Sequence, residues 1–199
     1  NLERHIKNIK KFGLDPVVAI NHFITDTDKE VQLIKEECAK LGAKVSLCKH
    51  WSEGGEGTKE LANQVVDICK KNNKKNFKYL YDDEKSIVEK IETIAKEIYG
   101  ASGIEIDEAA KNQIKSIESQ GFKKFPICIA KTQYSFSTDP KLKGAPSGHV
   151  LQIREVKLSS GAQFVVVICG SIMTMPGLPK VPAANSIRLN QKGETEGLF

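Results

Sequence analysis

Pro16-Val17-Val18-Ala19-Ile20-Asn21, followed further on by Val45-Ser46-Leu47-Cys48, decides how this chain folds. Each is a short apolar run bounded by turn residues, the pattern of a strand buried on both faces of a parallel sheet. Between them, Thr25-Asp26-Thr27-Asp28 offers a helix N-cap. Val31, Leu33, Ile34 and Cys38 then mark a helix over 28–41, which Gly42 stops. Ahead of the first run, Leu2, Ile6 and Ile9 recur at helical spacing and predict a helix over 2–12 ended by Gly13. Beyond the second run, Trp51 to Gly57 reads as a Gly-rich loop. Thr58 then caps a helix carrying Leu61, Val65, Val66, Ile68 and Cys69. Helix, strand, helix, strand, loop, helix is an α/β order, with parallel strands joined by crossover helices.

The chain changes character after residue 76. Ile87, Ile91, Ile94, Ala95 and Ile98 predict a helix closing at Gly100. Asp107 is placed to cap another, with Ala109, Ala110, Ile114 and Ile117, closing at Gly121. Together they read as a helical hairpin packed on the sheet. From Phe125 the pattern turns to strands, at 127–130, 150–156 and 164–169, the middle one with imperfect alternation. The tail from Met175 holds Pro176, Pro179 and Pro182 and little periodicity. The expected organisation is α/β throughout. A parallel β/α layer spans 1–76, a helical hairpin 77–122, and a small mixed α+β domain with an extended tail 123–199.

With 199 residues, 40% of them hydrophobic and 28% charged, the chain has the composition of a soluble globular protein with a real core. Its longest apolar run, Phe164 to Cys169, is far short of a membrane span. The chain opens Asn1-Leu2-Glu3-Arg4 with no initiating Met and no secretory signal, as expected of a piece of a longer protein. The five cysteines are odd in number and form no CxxC pair, which argues for a reducing cytoplasm rather than a disulfide or zinc framework. Cys128 and Cys169 lie in apolar runs and are expected to be buried. Net charge is +5, with one local cluster of Lys70, Lys71, Lys74, Lys75 and Lys78. A solvated turn after a helix C-terminus is the ordinary reading of such a cluster, and a nucleic-acid patch is the other. His5, His22, His50 and His149 are scattered, so no metal is assigned. No Ser/His/Asp or Cys/His set emerges, so no catalytic residue is assigned either.

In parallel α/β sheets, ligands bind beyond the carboxyl ends of the strands. Two segments hold that position, Asn21 to Asp26 and Lys49 to Gly55. Phe23 and Trp51, one in each, are candidate walls of a slot for a flat heterocycle. Glu53-Gly54-Gly55-Glu56-Gly57 invites a phosphate-cradle reading but lacks the lysine and Ser/Thr of a P-loop, and its glutamates repel phosphate. A plain strand-to-helix turn is the competing account. Lys131, after the 127–130 strand, is a candidate for a phosphate or carboxylate, against an ordinary surface lysine.

Several of these segments resemble one family. They are PVVAINHF with Thr25-Asp26-Thr27, WSEGGEG at 51–57, IYGASGIE at 98–105, AKTQYS at 130–135, MTMPGLPKVPAA at 173–184 and the terminal Gly197-Leu198-Phe199. In this order, and over essentially the whole chain, they are similar to formate–tetrahydrofolate ligases. The resemblance implies an ATP-dependent ligase that joins formate to tetrahydrofolate through formyl phosphate. It implies a P-loop NTPase-like core with smaller domains attached, magnesium with ATP, a monovalent cation as activator, and a cytoplasmic homotetramer. It assigns folate stacking to Phe23 and Trp51, and pocket-lining or nucleotide contacts to Asn21, Ile24, Leu47, Cys48, His50, Glu53, Lys131 and Ser147. Ile24 stands where family members often carry Pro, and Asn185 where they carry Glu. The family's P-loop lies in its N-terminal part, and no GxxxxGK[ST] occurs here. The expectation is the C-terminal, folate-holding portion of that enzyme, inactive on its own, with the rest of the same enzyme as its partner. Membranes and nucleic acids are not expected partners. A non-catalytic folate- or nucleotide-binding or assembly module is the alternative.

Overall fold

The first turn of the chain sets its architecture: α1 (Leu2–Lys11) must reverse into β1 (Val17–Asn21), and Gly13 makes that possible. Its φ is +74°, and a Cβ there would lie 1.8 Å from the Asn76 carbonyl oxygen. A side chain is excluded on both counts. The computed structural model describes residues 1–71, 76–172 and 179–198. The MTMPGL stretch at 173–178, Phe199, Lys74 and Lys75 therefore lie outside the described residues.

β1 pairs in parallel with β2 (Lys44–Cys48), Val18 opposite Val45 and Asn21 opposite Cys48. The crossover is α2 (Asp28–Lys40), started by a capping box in which Thr27 and Glu30 exchange hydrogen bonds. Ile6, Cys38 and Ala43 form a small core with Val18, Ile34, Leu41 and Val45. The other face carries α4 (Lys59–Lys71), but incompletely. Ala19 and Val65 remain exposed, so β1 is not buried on both faces as its sequence predicts. Residues 50–58 are not an open loop either. They form a four-residue helix, α3 (His50–Glu53), and a 3₁₀ segment, Gly54–Thr58. Backbone groups of a tight turn satisfy one another this way when few side chains are there to do it.

The second unit is a four-stranded sheet in the order β3-β5-β6-β4, built from β3 (Gly103–Ile106), β4 (Ile127–Ala130), β5 (Val150–Ser159) and β6 (Phe164–Cys169). β5 and β6 are antiparallel in the centre, and β3 and β4 flank them in parallel. Ile87, Ile91 and Ala95 of α5 (Ile87–Glu97) and Ala110, Ile114 and Ile117 of α6 (Glu108–Ser119) cover one face. They meet Leu151, Ile153, Val156, Val165 and Val167. The expected helical hairpin is thus a helix–strand–helix unit: Gly103-Ile104-Glu105-Ile106 pairs with β5 and was masked by its shortness. Asp107 precedes α6 but makes no side-chain cap bond. The imperfect alternation of β5 has a physical cause. Its register shifts between Ile153 and Glu155, so Arg154 is the extra residue of a bulge and Val156 returns to the core. Cys169 is buried, but Cys128 is exposed, because its neighbours Ile127 and Ile129 take the helix-covered face and leave it on the other. In the tail, Arg188–Leu189 pairs with Thr195–Glu196 as a small exposed hairpin, a pairing that the weak periodicity there does not announce.

α1 joins the two units. Ile6 enters the first core, while the Asn8 side chain donates to the Ile98 carbonyl and Lys11 pairs with Glu97 at the end of α5. Lys90 on α5 is fully buried. Its ammonium donates to the Lys123 and Phe125 carbonyls (2.8 and 3.1 Å), and the Tyr81 ring lies 5.9 Å away. Burial lowers its pKa.

Candidate functional site at the strand ends

β1 and β2 end side by side, and the His22 amide extends their ladder by donating to the Cys48 carbonyl at 3.0 Å. The His22 carbonyl then accepts the indole N–H of Trp51 at 2.6 Å. One residue on, the Phe23 amide donates to the Asp26 carboxylate at 2.8 Å, and the Asp26 amide returns a bond to the Phe23 carbonyl at 3.0 Å. Two aromatic residues from two strand ends are therefore tied to one patch of backbone. Both rings are 59% exposed, as an apolar surface awaiting a ligand or a covering segment would be.

α3 is held at its base. Lys49 accepts from the Ser52 and Glu53 amides and donates its own amide to the Gly57 carbonyl at 3.0 Å. A Cβ on Gly57 would lie 2.6 Å from the Lys49 carbonyl carbon and 2.8 Å from the His50 nitrogen. Gly57 is thus fixed by close approach to the peptide that carries Trp51, rather than by any need to cradle an anion. The Thr58 hydroxyl donates back to the Gly55 carbonyl.

The remaining candidates divide into two groups. Asn21 and Ile24 are exposed beside Phe23, Ile24 at 87%, and His50 and Glu53 are exposed on α3. Leu47 is half-buried, and Cys48 is buried with its thiol facing the Ser46 carbonyl. Lys131 and Ser147 sit elsewhere, around Tyr99 and the start of α1. The Lys131 ammonium is turned onto the Thr132 and Ser135 carbonyls and lies 5.0 Å from the Tyr99 ring centre. Burial lowers its pKa and pushes the Tyr99 phenol up to about 12. Ser147 accepts from Arg4 at 2.8 Å. Arg4 also gathers the Tyr99, Ala145 and Pro146 carbonyls and stacks over Phe136. His149 is held nearby with both ring nitrogens buried beside the Phe136 backbone, and burial lowers its pKa. Arg4, Asp26 and Gly57 carry no motif that marks these roles, because each acts on backbone groups, which are the same on every residue.

A 770 Å³ apolar cleft opens on the other side of β1, lined by Ile9, Leu14, Val17, Ala19, Leu61 and Val65 among others. Among the described residues β1 has only β2 as a strand neighbour. β2 is better covered, since Gln64 of α4 donates to the Val45 carbonyl. No helix among the described residues is long and apolar enough to cross a membrane.

The sequence profile of the formate–tetrahydrofolate ligase family matches residues 1–199. A formate–tetrahydrofolate ligase of Pelagibacter ubique is 62% identical over 199 residues, all of this chain and 35% of that protein. Those of Ruegeria pomeroyi and Rhizobium meliloti are 54% and 56% identical over the same 199 residues. The chain thus spans about 35% of the length of the relatives it matches. With its profile matched from end to end, the chain belongs to the formate–tetrahydrofolate ligase family.

Proposed function

We propose that this chain is the folate-holding portion of an enzyme that uses ATP to join formate to tetrahydrofolate, giving 10-formyltetrahydrofolate, ADP and phosphate. The observation that carries the reading is the pair of exposed rings, Phe23 and Trp51, anchored to one backbone patch at adjacent strand ends. In the full-length enzyme, ATP phosphorylates formate, and the folate amine attacks formyl phosphate with loss of phosphate. That step needs the amine held in line and water kept away from the acyl phosphate. Two apolar faces serve both needs without any titrating group, since a stacked pterin is oriented by its plane and displaces water from it. Asn21, Ile24, Leu47, Cys48, His50 and Glu53 form the rim and floor of this slot. Lys131 and Ser147 lie apart from this slot, around Tyr99 and the start of α1, and take no part in it.

The phosphate chemistry belongs to the rest of the enzyme, because no GxxxxGK[ST] occurs in this sequence. Among the described residues no three His, Cys, Asp or Glu side chains gather as metal ligands. The rest of the full-length chain covers the outer edge of β1 and fills the apolar cleft beside it, since parallel strands are stable only when paired and buried. The whole enzyme is cytoplasmic and homotetrameric on this reading. Two measurements test it. Titration with tetrahydrofolate in the full-length enzyme quenches Trp51 fluorescence, and Trp51→Ala removes both quenching and tight binding. A ligase assay on the 199-residue chain gives no turnover; clear turnover there refutes the division of labour.

A further inference from the structure

The bonds around Phe23 point to a residue whose role no motif announces. Asp26 closes a two-way link with Phe23: its carboxylate accepts the Phe23 amide at 2.8 Å and its amide donates to the Phe23 carbonyl at 3.0 Å. The next residue, Thr27, is locked by the capping box with Glu30, so the carboxylate is presented from the fixed start of α2. On the other side, His22 is tied to β2 through the Cys48 carbonyl. The Phe23 ring itself is 59% exposed and Ile24 is 87% exposed, so packing does little to hold this segment. Its direction is set by hydrogen bonds: the Trp51 indole donates to the His22 carbonyl, and the Asp26 carboxylate supplies the side-chain bond made to Phe23 itself.

We infer that Asp26 is a positioning residue: it holds the backbone of Phe23 so that the ring stands as one wall of the folate slot opposite Trp51. This rests on the folate-slot reading. Without the carboxylate, the 22–25 segment must be ordered when the ligand arrives, and that ordering is charged to binding rather than to the chemical step. The Asp26 effect therefore falls on KM for tetrahydrofolate and spares kcat. It also spares KM for ATP, because the nucleotide side does not depend on the Phe23 loop.

The test uses the full-length enzyme. Asp26→Ala raises KM for tetrahydrofolate on the order of tenfold, the factor expected for loss of one backbone bond to a charged acceptor, with kcat changed less than twofold. Asp26→Asn keeps an oxygen acceptor for the Phe23 amide and restores KM to within about threefold of the parent. Phe23→Ala and Trp51→Ala report on the slot itself. If those two raise KM while Asp26→Ala does not, Asp26 is not a positioning residue and the slot stands. If neither aromatic variant raises KM, the slot reading fails and this inference falls with it. An Asp26→Asn enzyme as impaired as Asp26→Ala also overturns it, whether or not the alanine variant folds well.

Discussion

Val65→Glu separates what this chain does alone from what it does inside the full-length enzyme. Val65 lies on α4, lines the apolar cleft beside β1, and is 43% exposed. In the 199-residue chain, a glutamate there keeps its carboxylate in water. The substitution gives up part of a valine contact and gains helix propensity, so stability changes by no more than about 1 kcal/mol. The rest of the enzyme alters that balance if it fills the cleft. The exposed 43% of the valine is then buried as well, which forfeits roughly 0.6–1.3 kcal/mol of a full transfer of about 1.5–3 kcal/mol. The larger effect is an unpaired carboxylate forced out of water, which costs several kcal/mol more. Full-length enzyme should therefore lose about 4 kcal/mol or more, the chain alone close to nothing. Urea unfolding of both proteins, parent and variant, reads the difference. Equal small losses in the two refute the idea that the cleft is covered, and with it the reason given for the open edge of β1.

Gly57→Ala should displace the Lys49–His50 peptide and with it Trp51, because the added Cβ would lie 2.6 Å from the Lys49 carbonyl carbon. Tetrahydrofolate-dependent quenching of Trp51 should weaken severalfold in the full-length enzyme, and unchanged quenching argues against the close-approach account. Lys90→Met keeps the buried stem but leaves the Lys123 and Phe125 carbonyls without their donor. It should cost about 1–2 kcal/mol by denaturation, and Lys90→Ala about 3 kcal/mol once the cavity is added. The burial-lowered pKa of His149 has a definite sign. Below its ordinary value of 6.5 the unfolded chain binds a proton that the folded chain refuses. Stability therefore rises with pH up to about that value and falls on acidification, by at most ~1.4 kcal/mol per pH unit for one proton. His149→Gln should reduce the slope of the unfolding free energy between pH 5 and 7 (roughly the span in which an ordinary histidine titrates), leaving the share of His5, whose pKa burial also lowers; an unchanged slope refutes the assignment.

Local pattern carried much of this molecule. The two apolar runs at 17–21 and 44–48, the Gly13 and Gly42 stops and the α2 capping box are all short-range features, written within a few residues of where they act. The positions of Phe23 and Trp51 followed too, because parallel strands must end on the same side of their sheet. What stayed hidden depended on partners far away in sequence. β3 is four residues long and becomes a strand only because β5 pairs with it. Cys128 reads as buried until the sheet turns Ile127 and Ile129 toward the helices and leaves it on the other face. The Trp51 indole found the His22 carbonyl, and Arg4 found the carbonyls at 99, 145 and 146. A backbone carbonyl or amide is the same group on every residue, so no side-chain pattern can announce which one a distant donor will reach. Local pattern and order along the chain were enough for the α/β class, the family and the two aromatic candidates. How those rings are tethered, and that β1 has one unpaired edge among the described residues, follow from long-range pairing.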